Sequence, residues 1–283
     1  MVGSEIPFAG WGAGICTANG IDLHYLRSGG DFPPLVALHG LLGSGACLVP
    51  LARTLRDGFD VILPDARGHG KSDAPAEGYR YRDLADDVVG LIGQLNLQAP
   101  ILLGHSMGGM TAAVVAGRSG VTISGLVLVE PTFINPEWQR KIFESDIVEE
   151  QRRSLASSRS DLLARARLRN PRRPREISEC LVDARRQTSL SAFDVLTPPN
   201  PDHQELVRDI GVPTLLVTGG AGIVPPDAAR DLQKLNPLLR HELIEGGGHG
   251  LPYDLPERLG AAILSFLRSS PASVTGSSRT ARP

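Results

Sequence analysis

The strongest constraint on this chain is a series of short, almost continuous apolar runs: "PLVALHG" (residues 34–40), "FDVILPD" (59–65), "APILLGH" (99–105), "ISGLVLVE" (123–130) and "VPTLLVTG" (212–219). A strand with one wet face alternates apolar and polar side chains, whereas a strand covered on both faces does not need to. Helix-like stretches separate the runs. Residues 82–95 place Leu84, Val88, Leu91, Ile92 and Leu95 on one face, residues 107–118 are small and apolar, and residues 256–267 open with proline and carry Leu259, Ile263 and Phe266. "RHELIE" (240–245) adds a late strand, and "IDLHYLRSG" (21–29) predicts an early one paired with residues 14–17 through a turn at Asn19-Gly20. This alternation predicts an α/β fold: a mostly parallel, doubly wound sheet with helices on both faces.

One segment breaks the rhythm. Residues 132–204 contain no buried strand and include the arginine-rich run "QRRSLASSRSDLLARARLRNPRRPRE". Apolar residues such as Phe143, Ile147, Leu155, Leu162, Leu163, Ile177 and Leu181 predict two to four short amphipathic helices there. The expected organisation is a core over 13–131 and 205–268, a helical cap over 132–204 lying on the carboxyl edge of the sheet, and a disordered tail over 269–283, which is rich in Ser, Pro and Gly. The arginines read as solvated helix faces paired with interleaved acids, with an anion-binding surface as the alternative.

Composition removes several function classes. A formal net charge of -2 in 283 residues creates no field for nucleic acid. No apolar run approaches the roughly 18 residues a membrane span needs, and the N-terminal stretch lacks a secretory pattern. Cys16, Cys47 and Cys180 have no metal-ligand spacing and read as apolar fillers or surface thiols, a sparse use that suits a reducing, cytoplasmic setting. No glycine-rich nucleotide motif follows the first strand, so neither a metal nor an organic cofactor is implied. No oligomeric state is legible.

The sharpest local signal is "GHSMG", Gly104 to Gly108, between an apolar strand and a small-residue helix. Flanking glycines permit a tight turn that lifts the Ser106 hydroxyl into a crevice at a helix N-terminus. The plain alternative is a serine that merely caps the helix. A hydroxyl needs a base to become a good nucleophile. Of seven histidines, His249 in "GGGHG" stands at the end of the last strand, where Gly246–Gly248 and Gly250 suggest a tight loop able to present an imidazole. His24 and His241 in strands and His203 in a loop read as packing or surface residues, and His69 and His105 as turn formers. The oxygen that becomes negative needs fixed N–H donors. Met107 offers one backbone N–H, and Leu41, after the His39-Gly40 turn, is placed to offer the other.

Taken in order, "LHGLLGSG", "LPDARGHGKSD", "GHSMGG" and "GGGHG" resemble the α/β-hydrolase superfamily over about residues 21–267, and within it the small, cofactor-free esterase- and lactonase-like members with a helical cap. The resemblance implies a Ser–His–acid triad and a pocket between sheet and cap for a small-molecule ester or lactone. It also exposes a departure. The superfamily's usual acid follows the strand at 212–219, and here that place reads Gly219-Gly220-Ala221-Gly222. Glu130, at the end of "LVLVE", is the candidate replacement. It stands at the carboxyl edge one strand after Ser106, and Pro131 favours an extended backbone that aims it into the crevice. A triad acid on this strand resembles the arrangement of some haloalkane dehalogenases and of zearalenone-type lactonases. The plain alternative for Glu130 is a hinge residue paired with a cap arginine. Asp227 is the second candidate, although its place after Pro225-Pro226 reads as the first turn of a helix. The expected activity is therefore hydrolysis of a carboxylic ester or lactone through an acyl-enzyme. Carbon–carbon bond hydrolysis by the same machinery, or a non-catalytic small-molecule receptor, are the alternatives.

Overall fold

The computed structural model describes residues 10–118 and 120–269. The expected tail lies outside them, apart from Ser269, which closes the last helix. The described residues build one eight-stranded sheet. In chain order its strands are β1 (Gly12–Ala18), β2 (Ile21–Arg27), β3 (Pro34–Leu38), β4 (Asp60–Pro64), β5 (Ile101–His105), β6 (Gly125–Val129), β7 (Thr214–Ala221) and β8 (Leu239–Gly248). In space the order is β1-β2-β4-β3-β5-β6-β7-β8. The pairs from β4 to β8 are parallel, while β1 and β2 form an antiparallel edge. The hairpin turn is the expected one: Asn19 and Gly20 both take positive φ, the geometry that matches strand twist.

The helices of the first half are α1 (Val49–Arg53), α2 (Tyr81–Gln94) and α3 (Met107–Ala116). Between β6 and β7 come α4 (Pro136–Phe143), α5 (Ile147–Ala156), α6 (Arg159–Arg169), α7 (Arg175–Arg186), a 3-10 turn at Leu190–Leu196 and α8 (His203–Asp209). The chain closes with α9 (Pro226–Leu235), α10 (Leu251–Asp254) and α11 (Pro256–Ser269). Thus α4 to α7 and the 3-10 turn occupy the segment expected to be a cap, and α8, which starts two residues before the expected return to the core, leads into β7. None of the described helices is long and apolar enough to cross a membrane.

The continuous apolar runs have the predicted cause. In β6, Leu126 and Leu128 pack into a cluster with α2, α3 and α9, while Val127 and Val129 point the other way into a cluster with α1 and α11. Every residue of β4, β5 and β6 is buried. Such burial contributes about 2 kcal/mol per large side chain, and β-branched or γ-branched residues fill both faces of the sheet at this rate. Two cysteines placed far apart in sequence meet at the seam between sheet and cap: Cys47 and Cys180 are buried free thiols with their sulfurs 3.2 Å apart.

Candidate active site

Parallel pairing delivers three chain ends to one edge. His105 pairs with Val129 and Val129 with Val217, so the residues that follow form a staircase. The Ser106 N–H donates to Val129 O at 3.1 Å, and the Glu130 N–H donates to Val217 O at 3.0 Å.

Ser106 stands between β5 and α3 with φ 54° and ψ -117°. That backbone costs about 1–3 kcal/mol and persists only where packing enforces it. Here the enforcement is close approach. A Cβ on Gly104 would strike the backbone of Gly108, and one on Gly108 would strike the carbonyls of Leu38 and His39. The spacing of small residues in "GHSMG" is thus a requirement of the turn itself. Its result is that Ser106 Oγ lies 3.0 Å from His249 Nε2.

His249 arrives by a route the sequence does not suggest. Gly246–Gly248 do not form a loop. They extend β8, whose Gly248 pairs with Ala221 of β7 beyond a bulge, so two strands project past the sheet edge and carry the imidazole to the serine. The other ring nitrogen, Nδ1, is buried without a hydrogen-bond partner. Its anionic neighbour is Glu130 Oε2 at 3.6 Å, an ion-pair separation longer than a hydrogen bond.

Glu130 is fully buried. Its φ is +44°, not the extended value that Pro131 favours, because the side chain is held from ahead. The Gly219 N–H donates to Oε1 at 2.7 Å and the Ile223 N–H donates to Oε2 at 2.6 Å. The end of β7 and the turn after it, where the resemblance places the acid, instead supply two amides to the carboxylate that follows the neighbouring strand. Asp227 is elsewhere: 84% exposed on the first turn of α9 and paired with Arg230. Asp254, close to His249 in sequence, is engaged by Arg173 at 2.7 and 3.0 Å.

The turn that precedes Leu41 comes close to Ser106. A Cβ on Gly40 would lie 3.0 Å from Ser106 Cβ, so the turn that bears Leu41 passes directly beside the nucleophile candidate. Among the described residues, neither Leu41 nor Met107 donates its N–H to a turn or loop carbonyl.

A family model described as alpha/beta hydrolase fold matches residues 33–255. This chain belongs to that family. N-formylmaleamate deformylase of Pseudomonas putida is 28% identical over 259 residues, 90% of this hydrolase and 96% of the relative. The bifunctional esterase/perhydrolase DCH of Acinetobacter calcoaceticus is 27% identical over 273 residues, covering 90% and 99%. A solved structure of E-2-(acetamidomethylene)succinate hydrolase superposes with a TM-score of 0.78 at 26% identity, over 92% of this hydrolase and all of that chain. In sequence, the 2-(acetamidomethylene)succinate hydrolase of Mesorhizobium japonicum is 36% identical, but over 107 residues, 38% of each chain.

Two histidines of this hydrolase acquire positions that residue patterns could not assign. Burial pushes the His105 imidazole down to about 3, so it is neutral, and its Nε2–H donates to the His249 carbonyl at 2.7 Å. Tyr253 Oη stands 3.4 Å from the remaining nitrogen of His105. His39, also pushed down by burial, donates from Nδ1 to Gly40 O at 2.8 Å and accepts from the Ala66 N–H at 3.0 Å. One ring therefore steadies the base candidate and the other the oxyanion turn. Hints existed in the adjacency of His105 to Ser106 and of His39 to Gly40, but their partners lie far away in sequence. His24, His203 and His241 contact Asp65, the Phe133 ring and Thr218, outside this constellation.

Above Ser106 and His249 lies a cavity of about 580 Å³. The core contributes Leu41, Leu42 and Tyr253 to its wall, and the cap contributes Leu162, Leu181 and Val182 among others.

Proposed function

We propose that this hydrolase cleaves a carboxylic ester or lactone of a small molecule through an acyl-enzyme on Ser106. His249 takes the hydroxyl proton through Nε2 and returns it to the leaving oxygen. Attack makes the ring an imidazolium, and the Glu130 carboxylate facing Nδ1 stabilises that charge and fixes the tautomer. The 3.6 Å gap closes as the ring becomes charged, since such contacts tighten in the reacting complex. The Leu41 and Met107 N–H groups receive the carbonyl oxygen as it becomes negative. Water then attacks the acyl group by the same route in reverse.

The observation that carries this reading is the 3.0 Å contact between a strained, positive-φ serine and a histidine whose far nitrogen is buried against one carboxylate. Similarity to proteins named a deformylase and a succinate-derivative hydrolase supports a second reading. In it, the same attack releases a formyl or related acyl group from nitrogen or carbon instead of oxygen.

Turnover of p-nitrophenyl butyrate and labelling of Ser106 by a fluorophosphonate test the nucleophile. Ser106→Ala is expected to lose at least about 10⁴-fold in kcat and all labelling. Retained turnover in that variant overturns the mechanism, and an unlabelled, inactive wild type points to a receptor. A matched series of ester, lactone, N-formyl amide and β-diketone substrates then ranks the bond classes.

A further inference from the structure

We propose that the cavity over Ser106 contains an anion subsite, anchored by Arg185 and completed by Arg165 and Arg169, that takes a carboxylate on the same molecule as the scissile acyl group. The proposal rests on the reading of Ser106 as nucleophile and specifies what that site accepts.

The described lining of the cavity includes five arginines, Arg153, Arg165, Arg169, Arg173 and Arg185, and one carboxylate, Glu150. Two of the cations are used by the protein. Asp254 holds Arg173 by two hydrogen bonds, and Asp146 pairs with Arg153 at 2.9 Å. The other three are under-compensated. Arg169 and Arg185 approach the same atom, Glu150 Oε1, at 3.6 and 3.5 Å. Arg165 has no ion pair among the described residues. Arg165 and Arg169 of the arginine-rich run are exposed, as a solvated face would be, but the interleaved acids do not fully pair them.

Arg185 shows why this excess points to a ligand. Its side chain is only 20% exposed. Burial pushes its guanidinium down from the ordinary arginine range, Glu150 opposes that and Arg169 adds to it. Arginine nevertheless stays charged near neutral pH, so a partly desolvated cation sits with half a counter-ion. Its orientation is built. Nε donates to Gln151 Oε1 at 3.1 Å, and the fully buried Gln151 is itself fixed by donating to the carbonyls of Arg185 and Thr188 at 2.9 and 3.2 Å. A planar carboxylate matches the free edge of such a fork and completes the missing charge. The apolar wall of Leu162, Leu181 and Val182 suits a short carbon chain between that carboxylate and the carbonyl at Ser106.

The test compares p-nitrophenyl half-esters of glutarate and adipate with p-nitrophenyl pentanoate and hexanoate, subtracting spontaneous hydrolysis. The acid-bearing ester is expected to exceed its neutral counterpart in kcat/KM by about 10–100-fold, the range of a charge-assisted contact. Arg185→Gln and Arg165→Gln should each cut that ratio by about tenfold or more, while Arg167→Gln, exposed on the same helix but outside the cavity, should leave it unaltered. Arg165→Gln keeps the test decisive if Arg185→Gln folds poorly. Equal kcat/KM for the two esters in the wild type overturns the subsite, as does a ratio that survives both variants. Calorimetric titration of adipate into the full-length Ser106→Ala chain separates the two ideas. Adipate binding that Arg165→Gln weakens sustains the subsite even if no ester is turned over and Ser106 resists fluorophosphonate, which would sink the nucleophile alone. Absence of adipate binding overturns the subsite.

Discussion

At the carboxyl edge of the sheet, Glu130 directly follows β6, while its neighbour β7 ends in Gly219, Gly220 and Ala221 and is followed by Gly222. One strand end carries a buried carboxylate, and the other carries no side chain beyond a methyl group until Ile223. Yet the second holds the first, because Gly219 and Ile223 donate one N–H to each carboxylate oxygen. A Cβ at Gly222 would collide with the Glu130 carboxylate. Gly222 thus makes room for the acid that follows β6. The end of β7 and the turn after it carry no carboxylate of their own before Asp227, and their amides hold the carboxylate of Glu130 instead.

If this comparison is functional, its two members respond very differently to charge removal. Glu130→Gln keeps the size of the side chain but takes away the anion facing His249 and turns an NH₂ towards an N–H donor. We expect kcat on p-nitrophenyl butyrate to fall by about 10³–10⁴, the loss known for removing a triad acid's charge. Asp227→Asn, at an exposed pair beyond β7, is expected to change kcat by less than about twofold. Comparable losses in both, or in neither, would break the assignment of the acid to β6.

A smaller effect tests the room rather than the charge. Gly222→Ala places a methyl group where the carboxylate now lies, and displacing that group by about 1 Å is worth roughly 10² in kcat. Gly220→Ala, where an added Cβ meets nothing within 4 Å, is the matched control and should keep wild-type kcat and unfolding temperature. Steady-state kinetics beside thermal melts separates a moved carboxylate from a destabilised fold. Equal tolerance of both alanines would mean that the β7 turn does not position Glu130.

Much of this arrangement is legible in the chain, and the boundary has physical causes. Strands buried on both faces advertise themselves as unbroken apolar runs, and Asn19-Gly20 advertises its hairpin, because backbone sterics restrict what can stand there. Ser106 is legible for the same reason, since Gly104 and Gly108 answer local collisions. The extension of β8 through Gly246–Gly248 is not legible, because glycines carry no apolar pattern and the pairing is with a bulged partner. The φ of Glu130 is missed because a local preference set by Pro131 loses to two amides some 90 residues later. The arginines divide between surface pairs and cavity according to how α6 and α7 pack, and spacing in a charge run does not record that. Cys47 and Cys180, 133 residues apart, meet for a similar reason.

The smallest expected effect extends the comparison to β5, whose end carries a ring that must stay neutral beside one proposed to cycle a proton. His105 and His249 have centroids 4.9 Å apart. Burial first, then the charge of His249, holds His105 down to about 3, and burial likewise holds the enclosed His69 down to about 3. In the unfolded chain both rings titrate near 6.5. The folded values are the lower ones, so the unfolded state binds more protons once pH drops below about 6.5. The stabilisation is therefore fully present above that pH and is lost progressively as pH falls from about 6.5 towards 3. Each ring should contribute about 1 kcal/mol of lost stability between pH 7.5 and 5.5. Urea midpoints measured across that window should decline on acidification, and His105→Gln, which cannot take up the proton, should decline less steeply than the wild type. A steeper decline in the variant would mean that His105 takes up a proton more readily in the folded protein than in the unfolded chain, and burial would then not be what governs this ring.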